Sequence, residues 1–243
     1  MENTKNTNIL SYTIITAGII LSTIIFSFVF YSSRYSSDSL TVTGSASLQV
    51  VSDNAKFTGE FTRIVKVSAL KFGYEQIAGD LSKVKAFLKT QGIDDKDITI
   101  STVSMFENYN YNNNYQTEKE YTIRQQVEVS SKDTDKITSL AQSAQGLINQ
   151  GIIFSINPVE YYYSKLPEVR VSLLSDAIKD AMARANKMAE STGKKVGNLK
   201  SASSGVVQVL PSNSLEISDY GTYDTSKINK NIMVTVKASF GLK

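Results

Sequence analysis

The chain has 243 residues, 41% of them hydrophobic, enough for a sizeable core in one large or two small domains. Its formal charge of +3 is too small for the field of a nucleic-acid binder. Cysteine and histidine are both absent, which removes disulfides, thiolate chemistry, cysteine-based metal sites, the commonest metal ligand and the most frequent general base near neutral pH.

Residues 9–31, ILSYTIITAGIILSTIIFSFVFY, carry no charge. At about 1.5 Å per residue they cross the roughly 30 Å hydrocarbon core of a bilayer, which needs about 20 residues. A cleaved signal peptide has a shorter apolar run followed by small residues; this one ends in Phe28, Val29, Phe30 and Tyr31, which favours an uncleaved anchor. The expected division is a short tail over 1–8, a transmembrane anchor over 9–31, a linker over 32–39 and a folded domain over 40–243. Lys5 on one side of the span faces Arg34 on the other, so charge alone leaves its orientation tied.

From residue 40 the pattern has period two. Leu40, Val42, Gly44, Ala46, Leu48 and Val50 share one face, and a second alternating run passes through Phe57, Gly59, Phe61, Val65 and Val67. Ser52, Asp53 and Asn54 supply the turn between them, and the two runs are expected to form a hairpin. Gly44 lies inside a strand rather than before a helix, so the stretch is not a phosphate loop.

A helical stripe follows over residues 69–91 through Leu70, Tyr74, Ile77, Leu81, Val84 and Leu88, closed by Gly92. Asp94, Asp95 and Asp97 lack the glycine-centred loop and distal glutamate of an EF-hand and read as a turn. Strands are expected over 98–111 and 121–130, joined by a polar tip whose Tyr109, Tyr111 and Tyr115 could stack on a sugar, a lipid headgroup or a second subunit. Asp133 or Thr134 caps a second helix carrying Ile137, Leu140, Ala141, Ala144 and Leu147. A short strand then ends in Tyr161, Tyr162 and Tyr163.

The third helix is expected over 167–192, with an inner stripe of Val171, Leu174, Ile178, Ala181, Ala185 and Met188 and an Asp180–Arg184 pair on its surface. Lys187, Lys194 and Lys195 suit the end of a helix. Strands follow over 206–210 and 232–242, separated by a polar loop over 211–231. The order ββαββ then αβαββ predicts an α+β fold: an antiparallel or mixed sheet packed with about three helices, with two diverged halves as an option.

Several segments together resemble the bacterial SIMPL-domain family, which includes periplasmic immunogenic and oxidative-stress-defence proteins. The carriers are VTGSASLQVVSDNAKF, FLKTQGIDDKDITIS, YTIRQQVEV, DAIKDAMARANKMAESTGKKVGNL and IMVTVKASF, in that order. Family members commonly have a second glycine near Ala46 and a Pro-Asp turn where this chain has Ser52-Asp53. The resemblance implies an extracytoplasmic domain, which resolves the orientation as a cytoplasmic N-terminus and a single-pass cell-membrane protein. It also implies assembly into rings in some members and a loose link to envelope or oxidative stress. It implies no agreed catalytic residues. No residue is therefore assigned a catalytic, cofactor-binding or metal-ligating role.

Three functions compete on these grounds. The first is a non-enzymatic, membrane-anchored scaffold that forms a homo-oligomer, with lipid as its partner through the N-terminal helix. The second is a binding module for glycan, lipid or a small ligand through its tyrosines. The third is an enzyme using serine and lysine, for which SSGVV at 203–207 stands beside a strand, the wrong setting for a nucleophile at a helix start.

Overall fold

The computed structural model describes residues 3–35, 39–108, 118–214 and 218–243. Helix α1 spans Asn3–Tyr35 and contains an apolar stretch, Tyr12–Ser33, none of which is buried against the rest of the chain. Its hydroxyls fold back on the helix: Thr16 Oγ1 and Thr23 Oγ1 donate to the carbonyls of Tyr12 and Ile19, at 2.7 and 2.8 Å. A polar group satisfied in this way is tolerated in an apolar medium. Length and composition of this kind are common to membrane anchors and signal sequences.

The remainder is α+β and forms two compact units, each discontinuous in sequence, so neither is one half of the chain. The larger unit comprises Ala46–Asp176 and Gly205–Thr235. At its centre is an antiparallel sheet in which β5 (Glu120–Ser131) and β2 (Asn54–Lys66) pair from Ala55 opposite Ser131 to Lys66 opposite Glu120. β3 (Ile98–Ile100) and β4 (Ser104–Asn108) pair with β5, while β6 (Ile153–Ile156) and β7 (Glu160–Tyr162) pair with β2. One face is covered by α2 (Leu70–Thr90) and α3 (Thr134–Ser143). Phe57, Phe61, Ile123, Val127 and Val129 from the strands meet Ile77, Val84, Leu88, Ile137 and Leu140 from the helices in one apolar cluster. Each large side chain removed from water there contributes roughly 1.5–3 kcal/mol.

A second cluster in this unit joins Leu173 of α4 (Leu166–Glu190), Val209 of β9 (Gln208–Pro211) and Ile232 and Val234 of β11 (Asn229–Leu242). Ala46 and Val50 of β1 (Ser39–Val51) pack against it. The second sheet runs β1-β11-β9-β10, with β10 (Thr222–Tyr223) parallel to β9 and β8 (Val196–Ser204) antiparallel to β11.

The smaller unit comprises the described residues of Met1–Ser45, Ala177–Ser204 and Val236–Lys243. α4 presents Ala177, Ala181, Ala185 and Ala189 inward, a row at intervals of four. The small side chains allow β1 to come so close that a Cβ on Gly44 would lie 2.2 Å from the Ala177 carbonyl oxygen. Ser45 N then donates to Asp180 Oδ2 at 2.8 Å, and Arg184 Nε meets the same oxygen at 2.8 Å.

Several expectations need correction. β1 and β2 do not form a hairpin: they meet at a tight corner and enter different sheets. The corner amides point to other segments, Ser52 N to the Ile228 carbonyl and Asp53 N to the Tyr162 carbonyl, at 2.9 and 3.0 Å. On α2, Gly73 rather than Tyr74 faces the core, because Val65 and Ile123 fill the space in which a side chain would sit. On α4 the buried row is turned from the expected stripe, leaving Val171 and Met188 exposed. The strand expected over 98–111 is interrupted at 101–103, where Ser101 bonds the Gln126 amide and accepts from Gln125 Nε2. The strand after the second helix is likewise two pieces, parted by Asn157-Pro158. β8 and β10 were not expected; β8 is mostly exposed and polar and so lacks the alternation that marks a half-buried strand.

Candidate functional site

Within the larger unit, residues 218–231 bring together the most unusual electrostatics of the described chain. Lys230 is fully buried, on the same face of β11 as Ile232 and Val234. Its ammonium donates to the carbonyls of Asp224 and Lys227, the latter at 2.8 Å, and lies 3.7 Å from Asp224 Oδ2 and 5.7 Å from the centre of the Tyr223 ring. Burial pushes its pKa below the ordinary lysine value, and the Asp224 charge offsets only part of this.

Asp224 organises the loop around that lysine. Its Oδ1 accepts from the Ser226 hydroxyl and amide at 2.7 and 3.2 Å, and its Oδ2 accepts from Lys227 N at 3.2 Å. Burial works to raise the Asp224 carboxyl, but these bonds and Lys230 hold it below the usual range. The loop is tied outward by Asp224 N to the Val209 carbonyl and by Tyr161 N to the Thr225 carbonyl, each 2.8 Å. At the neighbouring β1–β2 corner, Asp53 accepts from Ser164 N and Oγ at 2.8 and 2.6 Å. Against the opposing effect of burial, those two bonds keep its carboxyl low.

Two clefts flank the loop and share Ser226. One, about 650 Å³, has hydroxyl and amide groups from Ser212, Asn213, Ser226 and Asn229 beside the apolar surfaces of Pro211 and Ile228. The other, about 430 Å³, contains Lys56 held between Glu160 at 2.6 Å and Glu128 at 4.0 Å. The Glu160 bond raises the Lys56 pKa, so that amine is a fixed cation and not a nucleophile near neutral pH.

The family model described as SIMPL, a protein of unknown function (DUF541), matches residues 40–240. The chain belongs to the SIMPL family. Among curated relatives it is similar to the uncharacterized protein YggE of Edwardsiella ictaluri (strain 93-146), at 27% identity over 160 residues. That similarity covers 65% of this chain and 64% of the relative, so the chain spans somewhat less than two thirds of the protein it matches.

In this SIMPL chain the tyrosine cluster does not form one exposed platform. Tyr161 is buried and its hydroxyl is 2.8 Å from Thr138 Oγ1. Tyr162 lies against Tyr223 at 5.9 Å between ring centres, and Tyr163 packs on the second apolar cluster. Tyr109, Tyr111 and Tyr115 lie outside the described residues. Asp94 and Asp95 pair with Lys96 and Lys89, at 3.3 and 3.5 Å. Among the described residues no group of three acidic side chains is placed to hold a metal ion.

Ser203 and Ser204 lie on β8, and the hydrogen bonds of buried Lys230 go to carbonyls instead of a serine. Sequence reasoning missed Lys230 and Asp224 by treating 211–231 as one polar loop. The signal was present: position 230 continues the alternation of Ile232, Val234 and Val236 by one step, which assigns a lysine to a buried face.

Proposed function

We propose that this SIMPL protein is a non-enzymatic scaffold held at the outer face of the cell membrane by α1. The observation carrying this reading is the Tyr12–Ser33 stretch, 22 residues long and wholly unburied. Such a surface is stable in lipid and unstable in water. Extracytoplasmic placement rests on the family resemblance. A non-enzymatic role is supported by how the notable polar groups are used: Lys230, Asp224 and Asp53 are consumed in closing turns. The test is extraction of cell membranes at alkaline pH, followed by protease treatment of intact cells and spheroplasts. The folded part should stay with the membrane and be cleaved from the outer side; release by alkali or protection from protease would refute the placement.

Self-association is proposed for the uncovered face of the central sheet. Ile64 of β2 and Phe106 of β4 both stand opposite Thr122 of β5, and Ile153 of β6 stands opposite Thr62. Ile64, Phe106 and Ile153 are each about half exposed. A stable contact needs about 800 Å² per partner. Chemical cross-linking in membranes should yield discrete oligomers of the native chain, reduced in Ile64→Glu. The family link to envelope or oxidative stress makes growth under peroxide the phenotype to score.

A second reading is favoured by the 650 Å³ cleft. Its hydroxyls and amides beside Pro211 and Ile228 suit an uncharged polyhydroxyl ligand such as a glycan. Asn229→Leu should abolish glycan-array binding if this reading holds, while an array with no hits for the native chain would remove it.

A further inference from the structure

The charge of the chain is unevenly divided. Outside α1 and the linker, the smaller unit (residues 39–45, 177–204 and 236–243) has eight lysines and arginines against two acids, a formal side-chain charge of +6. The larger unit (46–176 and 205–235) carries −3. Glu2 with Lys5 and Arg34 with Asp38 cancel. The surplus therefore sits on the same unit as the apolar helix.

Within the smaller unit the fold also concentrates cations toward the start of β1. Thr41 Oγ1 donates to Ser239 Oγ, so the beginning of β1 lies beside the end of β11. There Lys243 and Lys195 exchange backbone hydrogen bonds at 2.8 and 2.9 Å. α4 runs antiparallel to β1: Gly44 meets Ala177 and Ala181, while Val42 and Thr43 share a groove of about 490 Å³ with Ala183, Arg184, Lys187 and Met188. The C-terminal end of α4, followed by Lys194 and Lys195, thus arrives where β1 begins. A helix C-terminus carries about half a negative charge, far less than these cations supply. Arg184 and Lys187 are paired with Asp180 and Glu190, and Lys194, Lys195 and Lys243 are the cations of the smaller unit that stand at this end.

Chain length ties this end to the bilayer. Tyr35 closes α1 and Ser39 opens β1, and four residues reach at most about 14 Å. Lys243 lies four residues after Ser239, whose hydroxyl meets Thr41 two residues into β1. We propose that the basic end of the smaller unit, centred on Lys194, Lys195 and Lys243, docks on the anionic phospholipid headgroups surrounding its own anchor. Attraction of clustered lysines and arginines to anionic lipid is cumulative and fades within a Debye length, about 8 Å at physiological salt. Docking would fix the orientation of the smaller unit on the bilayer. The inference rests on α1 being a membrane anchor.

The test uses the full chain reconstituted into vesicles of phosphatidylcholine alone or with about one-third phosphatidylglycerol. Each sample is floated on a gradient and then pulse-labelled with an amine-acetylating reagent, with labelled lysines read by mass spectrometry. The expected result is flotation in both lipids, with Lys187, Lys194, Lys195 and Lys243 labelled about fivefold more slowly in the anionic vesicles. Lys83 and Lys132 should be unchanged, and about 0.5 M salt should erase the difference. Flotation in both with equal labelling overturns lipid docking and leaves the anchor intact. Failure to float in either overturns the anchor itself, and docking with it. Protection in neutral vesicles on adding inorganic phosphate would assign the surface to a soluble anion and also overturn the proposal. The variant K194E/K195E/K243E should float normally, keep the native circular dichroism and show no lipid-dependent protection at Lys187; retained protection there refutes the assignment.

Discussion

Lys230 is a cation placed where an aliphatic side chain would be expected, and its environment determines what it does. Two carbonyls and the Asp224 carboxylate satisfy the ammonium, while the residue lies on the buried face of β11 shared with Ile232 and Val234. Removing it in Lys230→Ala strands Asp224 and both carbonyls, and thermal or urea unfolding should show a loss of about 3 kcal/mol. The folded-state pKa of Lys230 lies below its ordinary value of 10.5, so unfolding takes up a proton between the two and stability from this group rises with pH across that interval. Asp53 and Asp224 have the same sign in a lower pH window. Their folded values lie below 3.8, so their contribution is present above that pH and is lost as pH falls through the folded values. Urea unfolding measured from pH 6 to pH 2 should therefore show a steep acid limb, flatter in Asp53→Asn.

At the scale of elements, two glycines separate the effects of space and backbone freedom. A Cβ on Gly44 would stand 2.4 Å from Ala181 N as well as 2.2 Å from the Ala177 carbonyl, both rigid backbone atoms. Gly44→Ala should therefore push β1 from α4 and cost about 3 kcal/mol or more. Gly79 lies within α2 with no atom within 4 Å of its Cβ direction, so Gly79→Ala should stabilise by about 0.5–1 kcal/mol. Comparing the two denaturation midpoints checks both.

Period and caps made most elements legible. Asp133 caps α3 through Lys136 N, as the sequence suggested, and Ile232 to Phe240 alternate on a buried face. What failed was partnership, since a corner of Ser52 and Asp53 reads alike whether its strands pair or part. The decisive bonds go to Ile228, Tyr162 and Ser164, between 109 and 176 positions away. A stripe of alanines likewise has no hydrophobic contrast to fix its rotation, and only the close approach of Gly44 does so.

For the whole molecule, the family, the α+β class and the apolar N-terminal helix were all readable from pattern and resemblance. The loop of Lys230 was less so, because its character comes from burial and not from residue type. The pairing of β1 with β11 has a consequence for how the protein is made. Thr41 meets Ser239, 198 positions later, so among the described strands β1 has no partner in its sheet until β11 has left the ribosome. A chain stopped before residue 229 should therefore stall as a half-built species with β1 open, and pulse-chase proteolysis should find residues 39–51 cleaved in it while the β2–β5 ladder resists. Synthesis of β11, more than any local event, is the moment at which such a protein becomes resistant to degradation.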